Sequence, residues 1–405
     1  MEQAVTTKQH KQGYSNLFAT PHVPGLVWSS VLARLPLGSS VMLMVLLVSS
    51  HYGATIAGSA TALMTGSMAI CAPILGKLID MGKAPISLIV LGLAQFLCVL
   101  AMVMSSLISA PAAMILICAL LAGVFTPPVA GTTRSLWHNT VPEDLVPVAY
   151  DLEVLVVDLL YVGGPLLASA LLSIINAGTT LSIIYGFMAC GCVLLAMSTP
   201  VRDYARTVPS SSDSATLQHP LLQDIGVVLL LLVCLLTGSF SGWIETAVPL
   251  LYSHLGQSAL SGTAISLWSI GSIAGILLFT RFHPKHMPIS KQLALFTGIY
   301  CLICTGLALP VNAYSIIIVL VLVGMAVSPG TSLQYQLAGQ LAPANRQGEM
   351  FSWINTAMGV GLAIGSFGAG LVADHLGMQM LFLLPVGFVG LATACAIGLA
   401  FRSSR

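Results

Sequence analysis

Long apolar runs separated by short polar breaks dominate the 405-residue chain. A helix needs about 17 to 25 mostly apolar residues to cross a ~30 Å hydrocarbon layer. Twelve runs meet that length, at 27–50, 54–76, 86–107, 112–133, 147–171, 180–198, 224–251, 257–280, 291–309, 314–338, 349–371 and 379–401. Each is read as one membrane-crossing helix, numbered span 1 to span 12. The connections are short except at 199–223, a Ser/Pro-rich, charged stretch that reads as a flexible linker. The expected architecture is an all-α integral membrane protein. A polar N-terminal tail and six spans occupy 1–198, the linker follows, and six further spans occupy 224–405.

Composition supports that reading. Only 7% of residues are charged and 57% are hydrophobic, with a mean hydropathy of +0.95. A soluble domain carries about a quarter charged residues, so the lipid bilayer is the solvent that suits this chain. A net charge of +1 offers nothing to nucleic acid or to acidic partners. The first twenty-five residues lack the apolar core and cleavage site of a signal peptide, so span 1 is expected to target the chain and stay in the membrane. All nine cysteines fall inside apolar runs, and Cys301-x-x-Cys304 has no second pair beside it, so no metal site is expected. There is no Gly-x-x-x-x-Gly-Lys-Ser/Thr loop to hold ATP, no His-Glu-x-x-His, no Gly-x-Ser-x-Gly, and no loop large enough for an enzyme domain. Thirteen of the fourteen Lys and Arg residues lie at the termini or in connections after even-numbered spans. The positive-inside rule then places both termini in the cytoplasm. Arg34, inside span 1, is the exception.

The halves repeat. A gapless shift of 201 residues superimposes Gly123 on Gly324, Pro128 on Pro329, Pro142 on Pro343, Gly164 on Gly365 and Ala168 on Ala369. "SHYG" (50–53) matches "SHLG" (253–256) at a slightly larger offset. Glycine and proline dominate because they set kinks and close helix crossings. An even number of spans per half makes this a parallel repeat, the pattern of two bundles rocking about a site near the midplane.

The segment "GKLIDMGK" (76–83) after span 2 looks like the loop 2–3 signature of the major facilitator superfamily of secondary transporters, carried by Gly76, Leu78, Asp80, Gly82 and Lys83. One residue is missing between Asp80 and Gly82, and Met81 stands near the usual base. The chain resembles that family over its full length. "ARLPLG" (33–38), "RSLW" (134–137) and "GEMFSW" (348–353) look like its efflux-type, drug:proton antiporter branch, common among bacteria. The resemblance implies a monomer of two pseudo-symmetric six-helix bundles in a cytoplasmic membrane. It also implies a small-molecule substrate, no cofactor, and a proton gradient rather than ATP as the energy source. Gly76, Asp80, Gly82 and Lys83 would form a gating latch, with Asp80 on the N-terminus of span 11. The antiporter motif of span 5 is only partial, with Gly163, Gly164 and Pro165 followed by Ala168, and the Arg frequent in span 4 of proton-coupled exporters is absent.

Secondary transport needs a cavity, a group whose charge changes, and a hinge. An ionised group at mid-bilayer costs about 2.5–3.5 kcal/mol even on lenient scales, so each intramembrane charge is a functional candidate. In "DLEVLVVDLLYVGGP" (151–165), Asp151 and Glu153 lie within two turns of the span's start, whereas Asp158 lies about 16 Å inside by helical rise. Asp158 is expected to be buried, with Arg34 or a proton as its companion. Glu245 of span 7 shares a face with Gly238, Ser241, Gly242 and Pro249, read as a cavity wall. Asp158, Glu245, Arg34 and Glu153 are the charge candidates. The resemblance places spans 1, 4, 7 and 10 around the cavity, which makes Ser39, Ser40, Thr126, Trp243, Gln334, Tyr335 and Gln336 the substrate-contact candidates. The glycines of span 11 are expected to pack the two halves together. Proton-coupled export of small amphipathic or hydrophobic compounds is the leading reading. An uptake symporter or facilitator for a nutrient, and a non-transporting membrane sensor, are the alternatives.

Overall fold

The computed structural model describes residues 15–207, 223–282, 286–308, 314–342 and 347–402. Among the described residues every regular element is helical. Eleven helical stretches among the described residues are long and apolar enough to cross a membrane, and span 1 is made of two shorter helices, Val23–Ala33 and Ser40–Tyr52. Span 2 is Ala54–Asp80, span 3 Ala84–Leu107, span 5 Val146–Leu172, span 6 Ala177–Met197 and span 7 Ile225–His254. Span 8 is Leu260–Phe282, span 10 Ser315–Leu341 and span 11 Gln347–His375. Span 4 is broken into Ala112–Val124 and Val129–Thr140, and span 12 into Gly377–Leu383 and Pro385–Arg402. Span 9 is Ile289–Cys304 with a 3₁₀ turn at Thr305–Ala308.

Local chemistry sets these ends and breaks. Asn176 caps span 6 by accepting from the Thr179 amide at 2.8 Å. Asp224 caps span 7 through the Gly226 amide at 2.7 Å, and its carboxylate also meets Arg402 at the end of span 12, 3.3 Å away. Pro127 and Pro128 interrupt span 4, because neither can supply a backbone N–H. In span 1 the turn after Ala33 contains Pro36 and Gly38, and Gly38 has φ +74°, where a side chain would be strained. The linker expected over 199–223 opens with a helix, Thr199–Thr207, that packs on spans 3 and 6 and the second part of span 4. Its strongly amphipathic pattern, with Val201 buried between exposed Arg202 and Asp203 on one side and Pro200 on the other, explains why an apolar-run search passes over it.

The repeat is carried into packing. A Cβ at Gly123 would overlap the Met64 carbonyl of span 2, and one at Gly324 the Trp268 carbonyl of span 8. Spans 4 and 10 thus approach their neighbours through equivalent glycines. Gly164 and Gly365 likewise bring spans 5 and 11 against spans 1 and 7. The halves meet where span 2 packs on span 11, span 5 on span 8, and span 1 on span 7. The span 11 glycines divide their work differently from expectation. Gly361, Gly365 and Gly368 fit against span 7 of the same half, and Gly370 meets Ala54 and Gly58 of the other.

Candidate functional site

A cavity of about 270 Å³ opens at the broken part of span 1. Its wall takes Arg34, Leu37 and Ser40 from span 1, Met64, Thr65 and Met68 from span 2, and Gln95 from span 3. Thr126, Tyr161, Tyr185 and Met188 are among the residues that spans 4 to 6 add, and Glu245 and Leu362 reach in from the second half. The break follows from close packing. Gly164 leaves room for the Leu37 carbonyl, which would lie 2.6 Å from a Cβ there. A Cβ at Gly38 would meet Tyr161 Cα at 3.2 Å and Pro165 Cδ at 3.3 Å.

Arg34 sits on this turn, 5% exposed. Its Nη1 donates to Glu153 Oε2 at 2.7 Å and its Nη2 to Glu153 Oε1 at 3.3 Å, and Nη2 also donates to Thr133 Oγ1. The fork satisfies both carboxylate oxygens and cancels the charge of Glu153, which is equally buried. Arg34 Nε has no hydrogen-bond partner among the described residues. Beside it, Gln95 Nε2 donates to the Ala122 carbonyl at 2.9 Å and to Thr126 Oγ1 at 3.0 Å. Glu245 is different. It lines the cavity next to Tyr161 and makes no hydrogen bond or ion pair among the described residues.

The second half carries a smaller, uncharged counterpart. A pocket of about 50 Å³ is lined by Thr237, Ser241, Thr297, Tyr300, Thr331 and Gln334, among others. Gln334 Nε2 donates to Thr237 Oγ1 at 3.2 Å. Gln334 is the repeat partner of Thr133 at the 201-residue shift, and Thr237 that of Arg34 at the 203-residue shift aligning "SHYG" with "SHLG". One polar contact therefore occurs twice, with a charge in the first half and without one in the second.

The sequence-based candidates divide as follows. Arg34, Ser40, Thr126 and Glu245 line the main cavity, and Gln334 lines the second pocket. Glu153 stands behind Arg34. Asp158 departs from expectation: it is exposed, and Arg34 pairs with Glu153 instead. The buried face of span 5 runs through Glu153, Leu160, Gly164 and Ala168, and a residue five positions from Glu153 is turned about 140° away from it. Trp243 is also elsewhere. Its Nε1 donates to the Leu381 carbonyl at 2.6 Å and its ring meets Phe388 edge-on, fixing span 7 to span 12. Ser39 is buried in the span 1 turn, donating to the Pro36 carbonyl at 3.3 Å. Tyr335 donates to Asn355 Oδ1 at 2.7 Å and Gln336 to Ser332 Oγ at 3.1 Å, both outside the cavities. At the end of span 2, Gly76 and the side chain of Asp80 lie outside the described residues, so the expected contact of Asp80 with span 11 does too. Gly82 has φ +70° and leaves room for the Ala205 carbonyl, and Lys83 is exposed. Thr65, Gln95, Tyr185 and Tyr300 were not singled out from sequence. Each is one polar or aromatic residue in an apolar helix, and only its neighbours make it part of a wall.

A profile of the Major Facilitator Superfamily matches residues 26–366. The chain belongs to that family. Its fold is the family's, and the protein is a secondary transporter of that type. Among solved structures, a bacterial homologue of the iron transporter ferroportin in an inward-facing state aligns with a TM-score of 0.73 at 15% identity, over 93% of this chain and 98% of that one. The nucleoside transporter NupG aligns with a TM-score of 0.72 at 12% identity, over 94% and 99%. A POT family transporter in complex with 5-aminolevulinic acid gives 0.70 at 12%, over 95% and 97%. At these identities the likeness concerns the fold alone. A search of curated proteins finds no match.

Proposed function

We propose that this transporter exports small amphipathic or hydrophobic compounds in exchange for protons, as a monomer and without ATP. The carrying observation is Glu245, a carboxylate without a hydrogen-bond or ion-pair partner among the described residues, on the wall of a mostly apolar cavity where the two halves meet. Such a group is stabilised by binding either a proton or a cationic cargo. If the two share one acid, their binding is competitive, and competition at one alternately exposed site is sufficient for exchange. Met64, Met68, Met188, Tyr161 and Tyr185 supply adaptable apolar and aromatic surface for varied shapes. Arg34 and Glu153 neutralise one another, so they hold span 1 to span 5 without competing for the proton. The lysine and arginine distribution supports cytoplasmic termini and a cytoplasmic membrane.

The test is reconstitution in proteoliposomes with an imposed pH gradient and a panel of amphipathic dyes. Gradient-driven transport is expected to fall at least about tenfold in Glu245→Gln, because one proton site is removed, while exchange of dye across the membrane continues without a gradient. Asp158→Asn, outside the cavity, is expected to keep the gradient dependence. Transport indifferent both to the gradient and to Glu245→Gln would sink the coupling, and gradient-driven accumulation in the opposite sense would favour the uptake symporter.

A further inference from the structure

Spans 2 and 11 run antiparallel, and the start of span 2 meets the end of span 11. Span 2 begins at Ala54, directly after Gly53 with φ +82°. Its first amides have no acceptor within their own helix. Asp374, from the other half of the molecule, supplies one to each. Its Oδ1 accepts from the Ala54 amide at 3.1 Å and its Oδ2 from the Thr55 amide at 2.7 Å. A Cβ at residue 53 would stand in ordinary contact with Asp374 Oδ2 at 3.4 Å, so the glycine is needed for the turn rather than for room. One turn before Asp374, Gly370 lies against Ala54 and Gly58, and the Ser366 carbonyl meets Gly58 one turn further on, its Oγ donating to the Gly242 carbonyl of span 7 at 3.1 Å. The same end is closed between spans 5 and 8, where Ser266 Oγ donates to the Val162 carbonyl at 2.7 Å.

We infer that Asp374 is a positioning residue of the transport cycle, a carboxylate latch that holds the cavity shut at the end remote from the chain termini. The reason is state dependence. An anion on a helix N-terminus is favourable, but these two hydrogen bonds join opposite halves and exist only while that end is closed. When the halves separate there, water takes over both amides and the carboxylate. The contact therefore biases the equilibrium by its own differential free energy and by no more. Asp374 is exposed, so the bias is modest and the latch can open. The inference rests on the family's two-bundle transport, and not on Glu245, on protons or on the direction of transport.

The test uses the purified full-length protein carrying Ala363→Cys, whose Cβ faces Gly66 of span 2 across the seam, with maleimide labelling of that position and of native Cys71 followed peptide by peptide by mass spectrometry. Cys71 lies farther along span 2, toward its other end. Asp374→Ala is expected to speed labelling of the introduced thiol about three- to tenfold, the scale of losing a charged helix cap. Labelling of Cys71 is expected to stay level or fall, and Asp374→Glu to restore most of the protection. An unchanged rate in Asp374→Ala overturns the latch. A parallel rise at both thiols also overturns it, since that is general loosening of the fold.

Discussion

Arg34 and Glu153 are both 5% exposed, and each is the other's main reason for being tolerated there. Removing one partner of a buried pair leaves an uncompensated charge and costs about 3–5 kcal/mol, whereas replacing both with apolar residues of similar volume is often neutral. Arg34→Met is thus expected to lower thermal stability in detergent sharply, and Arg34→Met with Glu153→Leu to recover most of it, as read in a double-mutant cycle. Equal losses in the single and double variants would contradict this. The existence of an unusual intramembrane cation was legible in the sequence, because Arg34 stands alone among apolar neighbours. Its partner was not. Three carboxylates of span 5 compete on paper, and the choice depends on which face of that helix meets span 1.

At the scale of the element, the pair Gly163 and Gly164 separates propensity from packing. A Cβ at Gly163 would meet nothing within 4 Å, while one at Gly164 would press on the Leu37 carbonyl at 2.6 Å. Gly163→Ala is expected to be neutral or to stabilise by up to about 1 kcal/mol, the helix-propensity difference. Gly164→Ala, by contrast, pushes span 1 outward and is expected to cost about 1–3 kcal/mol, an overpacking penalty. Thermal unfolding of the two variants side by side decides the matter. All twelve spans were visible as apolar runs because hydropathy is a property of the local chain. The break in span 1 was harder to see, since Pro36 and Gly38 are signals that many continuous membrane helices tolerate. What makes them a break is the glycine on the neighbouring helix.

Across the whole molecule, the repeat predicts equivalent contacts but leaves their chemistry free. The Arg34–Thr133 contact of the first half becomes Thr237–Gln334 in the second. Hydrogen bonds to charged groups are worth about 1.5–3 kcal/mol and neutral ones about 0.5–1.5. Thr133→Val is therefore expected to destabilise the protein more than Thr237→Val, in the same unfolding measurement. Two six-span halves could be read from spacing and repeated glycines. The position of the cavity, mostly within the first half and touched by Glu245 alone among the second half's acids, could not, because it depends on how the bundles lean together.

The closed pairing of Arg34 with Glu153 also has an electrical consequence. A charge carried through the full membrane field exchanges about 2.3 kcal/mol per 100 mV. A pair that moves together carries no net charge, so its displacement gives the membrane potential almost no grip. Among the ionisable groups lining the cavity, Glu245 and whatever it binds are left to sense voltage. Transient currents on a supported membrane should then be governed by the charge of the cargo and by Glu245, and Glu245→Gln should remove the component seen without cargo.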